Sequence, residues 1–180
     1  DAEPSGRLVN TWYNSTEVLP DIDQSIIYNG WEKEGVTLDD LDPARDVLMT
    51  NGDPYDTGLT YMYLDEADKD DYVTYEFGYG LSYTTFDKDI MAINEDSGVI
   101  TVRVEVTNTG DVAGKDVLEI YYNPPYTGAI EKSTVNLVAF KKTNLIEPGT
   151  TEYYSIEFNV EDMASYDYTT NKAWTLEAGD

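Results

Sequence analysis

The chain has 180 residues, in which 36 acidic side chains outnumber 11 basic ones, and it contains neither cysteine nor histidine. This composition excludes disulfide scaffolds, thiolate zinc sites and imidazole-based catalytic triads. A formal net charge of −25 argues against nucleic acids and anionic membranes as partners, because their phosphate groups would be repelled. The 41% hydrophobic content and 16 tyrosines nevertheless predict a folded chain, since disordered chains are poor in aromatic residues.

The first part of the chain, residues 1–85, has few alternating positions and many Pro, Gly, Asp and Asn residues. One short helix is predicted at residues 42–49, with Asp42 as its N-cap and Pro43 at its first helical position. We expect long loops around one or two strands elsewhere, and therefore a piece of a larger domain or a wrap around the following one. The acidic string at residues 65–71 lacks the glycine of a calcium-binding EF-hand loop and is interpreted as a solvated loop, so no metal ligand is assigned.

The second part, residues 86–180, has the period-2 pattern of half-buried strands separated by Gly, Pro and Asn turns. Alternating segments lie at residues 99–107, 117–122, 135–140 and 154–160, with a shorter piece at Trp174 and Leu176. Several short strands without a long helical period predict a mainly β fold, an immunoglobulin-like β-sandwich. Because no cysteine pair is present, the fibronectin type III-like variety is favoured. The side chains predicted to point inward are Val102, Val104, Val106, Ile156, Phe158 and Trp174.

The most distinctive string is YEFGYGLSYTTF at residues 75–86, where two glycines flank Tyr79 among several aromatic rings. Physically it is a packing motif, because glycine permits close backbone approach while the rings anchor a turn. Further motifs follow the same order along the chain: PSGRL at residues 4–8, TYMY at 60–63, VTNTG at 106–110, AG at 113–114 and IEKS at 130–133. Together these motifs resemble glycoside hydrolase family 3, the β-glucosidase and β-xylosidase family. Residues 21–57 are unmatched and are interpreted as an insertion.

The resemblance implies a domain division. Residues 1–85 would be the end of an α/β sandwich domain with its junction, and residues 86–180 a fibronectin type III-like domain. The implied partners are the catalytic barrel and α/β domains of a parent enzyme, with a carbohydrate substrate contacted only indirectly. The parent would hydrolyse terminal β-linked glucose, xylose or a related sugar.

The resemblance also implies that the catalytic groups lie elsewhere. The family uses an Asp nucleophile in a Ser-Asp motif on the barrel and an acid/base earlier in the α/β domain. No Ser-Asp pair occurs in this sequence. We therefore assign no catalytic residue and no cofactor, and we expect the chain alone to be inactive.

Aromatic side chains leave an alternative open, since rings stack on the apolar faces of sugars. Trp31 and Tyr55 fall in the unmatched insertion, where loops could present them to a substrate, and they are the only substrate-binding candidates. Trp12 and Trp174 are expected in the core. The alternative function is a stand-alone carbohydrate-binding or adhesion β-sandwich module, which would bind sugar by itself.

The last predicted strand raises an expectation about the edge of the sandwich. Residues 174–177 have the pattern of a strand, and Gly179 then opens a turn. A hairpin begun in this way normally has a returning strand, and the family resemblance implies one as well. We therefore expect these residues to form a sandwich that is one strand short, with edge groups unpaired and part of the core uncovered.

Overall fold

The computed structural model describes residues 4–14, 61, 73–127, 129–130, 132–133, 135–167 and 170–179. The helix predicted at residues 42–49, the acidic string at residues 65–71, and both Trp31 and Tyr55 lie outside the described residues. In the described part of the chain, no helix is long and apolar enough to cross a membrane.

Short antiparallel strands build the described structure. In chain order they are β1 (Trp12–Tyr13), β2 (Val73–Tyr75), β3 (Phe86–Asp96), β4 (Val99–Asn108), β5 (Val117–Tyr122), β6 (Asn136–Lys142), β7 (Thr151–Asn159), β8 (Ser165–Asp167) and β9 (Ala173–Thr175). A single-turn 3₁₀ helix, Val160–Met163, connects β7 to β8. The strands form a three-stranded sheet in the order β3-β4-β7 and two-stranded sheets that pair β1 with β2, β5 with β6, and β8 with β9.

The hydrophobic core lies between the β3-β4-β7 sheet and the β5-β6 sheet. Its buried side chains are Val102, Val104, Val106, Leu118, Ile146, Tyr154, Ile156 and Phe158. In the register of β4 and β7, Val102 lies opposite Ile156 and Val104 opposite Tyr154, so alternate residues of both strands share the inner face. The strands predicted at residues 99–107, 117–122, 135–140 and 154–160 are confirmed as β4, β5, β6 and β7. The predicted β-sandwich is therefore the observed architecture.

The longest strand, β3, was not predicted from the sequence. Its register with β4 shifts between Ile90 and Ala92, and this bulge interrupts the alternation that would have marked a strand. A tight turn joins β3 to β4, with positive φ angles of 55° at Ser97 and 83° at Gly98. Positive φ at two central residues matches the right-handed twist of the paired strands, so this turn sets their register.

Trp174 corrects the predicted core. The Trp174 side chain is 72% exposed, so its assignment to the core is wrong. Its strand, β9, pairs with β8 in a separate hairpin, where the indole packs edge-on against Tyr166 with ring centroids 5.6 Å apart. Alternation places Trp174 on one face of a strand, but nothing in the described structure covers that face enough to bury it.

Candidate functional site at the glycine–aromatic turn

The glycine–aromatic string forms a tight turn after β2, to which the N-terminal segment (residues 4–14) is fastened. The N–H of Tyr79 donates to the carbonyl of Glu76 at 3.1 Å, which closes the turn. Leu8 donates to the carbonyl of Tyr79 at 2.8 Å and accepts from the N–H of Gly78 at 2.8 Å. Together with the pairing of β1 and β2, these bonds hold the N-terminal segment against the turn.

Two glycines in the turn allow neighbouring groups to approach the backbone closely. Gly78 has a φ of +79°, and a Cβ atom there would overlap the carboxylate of Glu119 on β5. A Cβ atom at Gly80 would overlap the guanidinium of Arg7 and the carbonyl of Gly6. The turn therefore packs against the sandwich on one side and the N-terminal segment on the other, which explains why glycine is required at both positions.

A buried carboxylate, Asp116, connects three parts of the chain just before β5. Arg7 of the N-terminal segment forms an ion pair with its Oδ1, and Lys88 of β3 donates from Nζ to its Oδ2 at 2.8 Å. The N–H of Val117 donates to Oδ1 at 2.8 Å, while the N–H of Asp116 itself donates to Thr143 Oγ1 at 2.8 Å. We call Asp116, Arg7 and Lys88 the Asp116 cluster.

The Asp116 cluster keeps its carboxylate ionised. Burial by itself raises the pKa of Asp116, but the hydrogen bonds from Lys88 and Arg7, with the charge of Lys88, outweigh burial. The net effect is a pKa below the usual range of an aspartate. A catalytic acid requires the opposite shift, so this arrangement serves ion pairing rather than proton transfer.

Aromatic rings pack beneath the turn on the outer face of β5. Phe77 stacks on Tyr61 with centroids 4.3 Å apart, and Tyr121 of β5 meets the Tyr61 ring edge-on at 5.8 Å. Burial, with the hydrogen bond from Tyr121 to Glu119, raises the pKa of the Tyr121 hydroxyl. That hydroxyl stays protonated at neutral pH, and the three aromatic rings serve to pack the turn against β5.

A second group of apolar side chains faces outward at the same junction. It surrounds a concave surface of about 520 Å³, and we define it as the aromatic patch: Leu8, Trp12, Tyr75, Tyr79 and Leu81. Trp12 is 53% exposed and Leu81 is 67% exposed. The expectation that Trp12 belongs to the core is therefore wrong, because its two-residue strand pairs with β2 and nothing described covers its outer side. Contiguous exposed apolar surface of this kind marks interaction sites.

Sequence reasoning identified the turn but missed the Asp116 cluster. One carboxylate among 36 acidic residues has no local pattern that distinguishes it, and its partners are far away in the chain. The substrate-binding candidates Trp31 and Tyr55 lie outside the described residues and stay predictions. In the described ranges, no group of three or more His, Cys, Asp or Glu side chains is arranged to hold a metal ion.

Comparison with known proteins shows which proteins this chain resembles. Residues 116–180 match the fibronectin type III-like domain. β-Glucosidase A of Butyrivibrio fibrisolvens is 32% identical over an alignment 197 positions long, gaps included, which covers 98% of this chain and 21% of that protein. The solved structure of a β-glucosidase from Paenibacillus barengoltzii is similar with a TM-score of 0.72 at 32% identity, covering 100% of this chain and 18% of that one. The structure of β-glucosidase 3B of Thermotoga neapolitana, solved with α-D-glucose, is similar with a TM-score of 0.54 at 42% identity. The match covers 59% of this chain and 14% of that one.

The fold and the matches define the class of protein, which is a β-sandwich protein with a fibronectin type III-like domain. The chain corresponds to the C-terminal, non-catalytic region of family 3 β-glucosidases, as the resemblance of its motifs predicts. Two curated relatives match nearly all of this chain, and the chain spans about a fifth of the length of each. Those relatives are multidomain glycoside hydrolases of which this region is one part.

Proposed function

We propose that this chain is the structural C-terminal part of an enzyme that hydrolyses terminal β-linked glucose, xylose or a related sugar. In this role it braces the catalytic barrel and α/β domains and contacts the carbohydrate substrate only indirectly. The observation that carries the proposal is the exposed aromatic patch, which lies where the N-terminal segment joins the turn. An apolar concave surface at this point fits a neighbouring domain of the same protein.

The Asp116 cluster supports a bracing role because it fixes the N-terminal segment to the sandwich. Arg7 comes from that segment, whereas Asp116 and Lys88 belong to the sandwich. Charged groups buried at such a contact favour one orientation, since any other leaves a buried charge unpaired. A domain that precedes this segment would then be held at a defined angle to the sandwich.

The proposed division into residues 1–85 and 86–180 agrees with where the described pairings change. The β1-β2 sheet and the turn precede Phe86, and the three-stranded sheet begins at Phe86 with β3. Thr85 accepts a hydrogen bond from the N–H of Thr109 at 2.8 Å, which ties the end of the junction to the sandwich. The division stays a proposal, which limited proteolysis of the complete protein can examine.

The test uses the complete polypeptide that carries this chain, with aryl β-glucoside and aryl β-xyloside as substrates. In the double variant Trp12→Ser, Leu81→Ser, we expect activity to be lost at a lower temperature than in the wild type. The reason is that buried side chains of this size each contribute about 1.5–3 kcal/mol to an interface or core. The matched control is Tyr153→Ser, an exposed ring on the outer face of β7. Equal thermal inactivation of the patch variant and the control would contradict the bracing role.

The exposed rings Trp12, Tyr75 and Tyr79 favour one alternative, a carbohydrate-binding module. Under that alternative, the isolated chain binds cellobiose or methyl β-glucoside with a saturable change in tryptophan fluorescence. The change would disappear in Trp12→Ala and persist in Trp174→Ala. We expect no such binding, because the Tyr75 and Tyr79 planes are inclined at 38° and do not form a flat stacking platform.

A further inference from the structure

An exposed cleft lies between the 3₁₀ helix that follows β7 and the β8-β9 hairpin, and we call it the Trp174 cleft. It has a volume of about 640 Å³ and is lined by Glu161, Asp162, Ala164, Trp174 and Leu176. The Trp174 side chain is 72% exposed and that of Leu176 is 45% exposed. Tryptophan is among the residue types that contribute most to binding at protein surfaces, so an exposed indole in the wall of a cleft indicates an interaction site.

The Trp174 cleft is separate from the aromatic patch of the proposed function. Beside the cleft, the N–H of Val160 donates to the carbonyl of Gly98 at 2.8 Å, just before the start of β4. The glycine–aromatic string ends at the other end of β4, where the N–H of Thr109 donates to the carbonyl of Thr85 at 2.8 Å. The 10 residues of β4 separate the two ends by about 30 Å. A partner bound at the cleft is therefore independent of any domain that covers the aromatic patch.

Hydrogen bonds hold both walls of the Trp174 cleft in place. In the first wall, Oδ2 of Asp162 accepts from the N–H of Asn159 at 2.8 Å, which fixes the start of the 3₁₀ helix. In the second wall, the buried carboxylate of Asp167 accepts from the N–H groups of Thr170 at 2.9 Å and Asn171 at 3.0 Å, which fixes the turn of the hairpin. Walls that are already ordered lose little conformational entropy when a ligand binds.

The hairpin also orients the indole. Tyr166 lies directly opposite Trp174 in the pairing of β8 with β9, and the two ring planes are inclined at 70°. Leu176, two residues after Trp174, lines the same cleft. The indole therefore forms one fixed apolar wall, which Leu176 extends.

The opposite wall of the Trp174 cleft is acidic. Glu161 and Asp162 supply its carboxylates, and among the described residues that line the cleft none is basic. In the described part of the chain, no hydrogen bond or ion pair engages the Glu161 carboxylate. A cation placed between an aromatic ring and a carboxylate is attracted by both. A positively charged group with an apolar stem thus fits this cleft better than a neutral or anionic one.

We propose that the Trp174 cleft binds an arginine side chain that a segment of a partner protein presents. The planar guanidinium stacks on the Trp174 indole and donates to the Glu161 carboxylate, a combination that the compact ammonium of lysine matches less well. The methylene groups of the arginine, with an apolar neighbour in the same segment, lie against Leu176. The net charge of −25 on the chain also attracts a basic segment and speeds its association.

Two other occupants fit the Trp174 cleft less well. A second copy of the chain carries the same net charge of −25, so two copies repel each other. A sugar would stack on the indole, but each of its hydroxyl groups both donates and accepts. The carboxylates of Glu161 and Asp162 only accept, so they satisfy part of that hydrogen-bonding capacity.

The experiment follows the indole N–H signals of the ¹⁵N-labelled 180-residue chain by NMR during titration with a short peptide. The peptide carries one arginine next to one leucine in a Gly/Ser background. Its matched control contains citrulline, which has nearly the same shape as arginine but no charge. The chain has three tryptophans, so Trp174→Phe assigns the Trp174 signal and the signals of Trp12 and Trp31 serve as internal controls.

We expect the arginine peptide to cause a saturable shift of the Trp174 signal and no comparable shift at Trp12 or Trp31. The citrulline peptide should bind about tenfold more weakly, because it loses both the cation–π contact and the charge-assisted hydrogen bond. A lysine peptide should bind with an affinity between those of the other two.

Substitutions test each wall of the cleft separately. Glu161→Gln should weaken binding of the arginine peptide about fivefold at low ionic strength. The matched control, Glu157→Gln, removes the same charge from an exposed position of β7 and should change the affinity by less than about twofold. Trp174→Ala should abolish binding, which the backbone N–H signals of Glu161 and Asp162 then report. These variants should fold, since the side chains that they replace are exposed.

Several results would overturn the inference. The Trp174 signal would fail to shift with the arginine peptide, or the citrulline or lysine peptide would bind as tightly as the arginine peptide. Equal losses in Glu161→Gln and Glu157→Gln would show a general attraction to an acidic surface. A saturable shift of the Trp174 signal with cellobiose, or with the concentration of the chain alone, would make a sugar or a second copy the occupant. These measurements involve neither glycosidase activity nor the aromatic patch, so their failure is distinguishable from failure of the proposed function.

Discussion

At the scale of single residues, Asp116 joins segments that are distant in sequence. Its carboxylate is bonded to Arg7, 109 residues away, and to Lys88, 28 residues away. A buried carboxylate is costly unless it is paired and hydrogen-bonded, and here both conditions are met. The Asp116 cluster therefore helps to specify how the N-terminal segment docks on the sandwich.

Replacement of Asp116 by asparagine should destabilise the chain by about 3 kcal/mol. This value is at the lower end of the cost of breaking a buried ion pair, because Lys88 keeps access to water. Urea denaturation at pH 7 measures this loss. The matched control is Asp111→Asn in an exposed turn, which should change the free energy of unfolding by less than about 0.5 kcal/mol. Equal midpoints for the two variants would show that the cluster contributes nothing to stability.

The difference in stability between wild type and Asp116→Asn should change with pH in one direction. The pKa of Asp116 is lower in the folded state than its ordinary value, so its ionisation stabilises the fold above that ordinary value. The contribution is lost as the pH falls below about 4 and through the folded-state pKa. The difference in unfolding free energy between wild type and Asp116→Asn should therefore be largest near neutral pH and shrink in acid. A difference that grows on acidification would contradict the ion pairing.

The structural roles of Gly78 and Gly98 can be distinguished by experiment. Both residues have positive φ, but a Cβ atom at Gly78 would overlap Glu119, whereas one at Gly98 would meet open space. Gly98→Ala should cost about 1–2 kcal/mol for the left-handed backbone alone. Gly78→Ala should cost more, because Glu119 must also move. Urea midpoints measure both losses, and equal losses would mean that the turn does not pack closely on β5.

At the scale of elements, the alternation of β7 gives a sharp test of register. Phe158 is buried in the core, and its neighbour Glu157 points to solvent. Phe158→Ala should cost about 3–5 kcal/mol by leaving a cavity, against less than about 0.5 kcal/mol for Glu157→Ala. Denaturant melts of the two variants measure this contrast. Comparable losses at both positions would place the strand one residue out of register.

The β3 strand shows why elements differ in how readily they are predicted. β4 and β7 alternate without interruption, and each was recognised from the sequence. In β3 the bulge at Met91 puts two isoleucines three residues apart on one face, a spacing that no regular strand gives. The physical cause is that pairing with β4, rather than local pattern, determines the faces of β3.

At the scale of the whole molecule, the chain is expected to have no glycosidase activity by itself. The retaining mechanism needs a nucleophile and an acid/base held on opposite sides of the scissile bond, and neither catalytic motif is present in the sequence. Incubation of the purified chain with aryl β-glucoside and aryl β-xyloside should release no phenol above background. An active family 3 β-glucosidase, assayed alongside, shows that the conditions support turnover. Activity that co-purifies with the chain and disappears on replacement of one Asp or Glu would contradict the expectation.

The sequence by itself determined the β-sandwich, the positions of β4, β5, β6 and β7, and the resemblance to family 3 glycoside hydrolases. These properties depend on local patterns, such as the alternation of Tyr154, Ile156 and Phe158, or on the glycine–aromatic string. The tertiary structure alone decided which apolar side chains are covered and which charges meet. Trp12, Trp174 and Ile93 are exposed because burial requires a second element over the same face, and no local pattern reports whether one is there. Asp116 meets Arg7 for the same reason, since its partner comes from a segment that only the fold brings close.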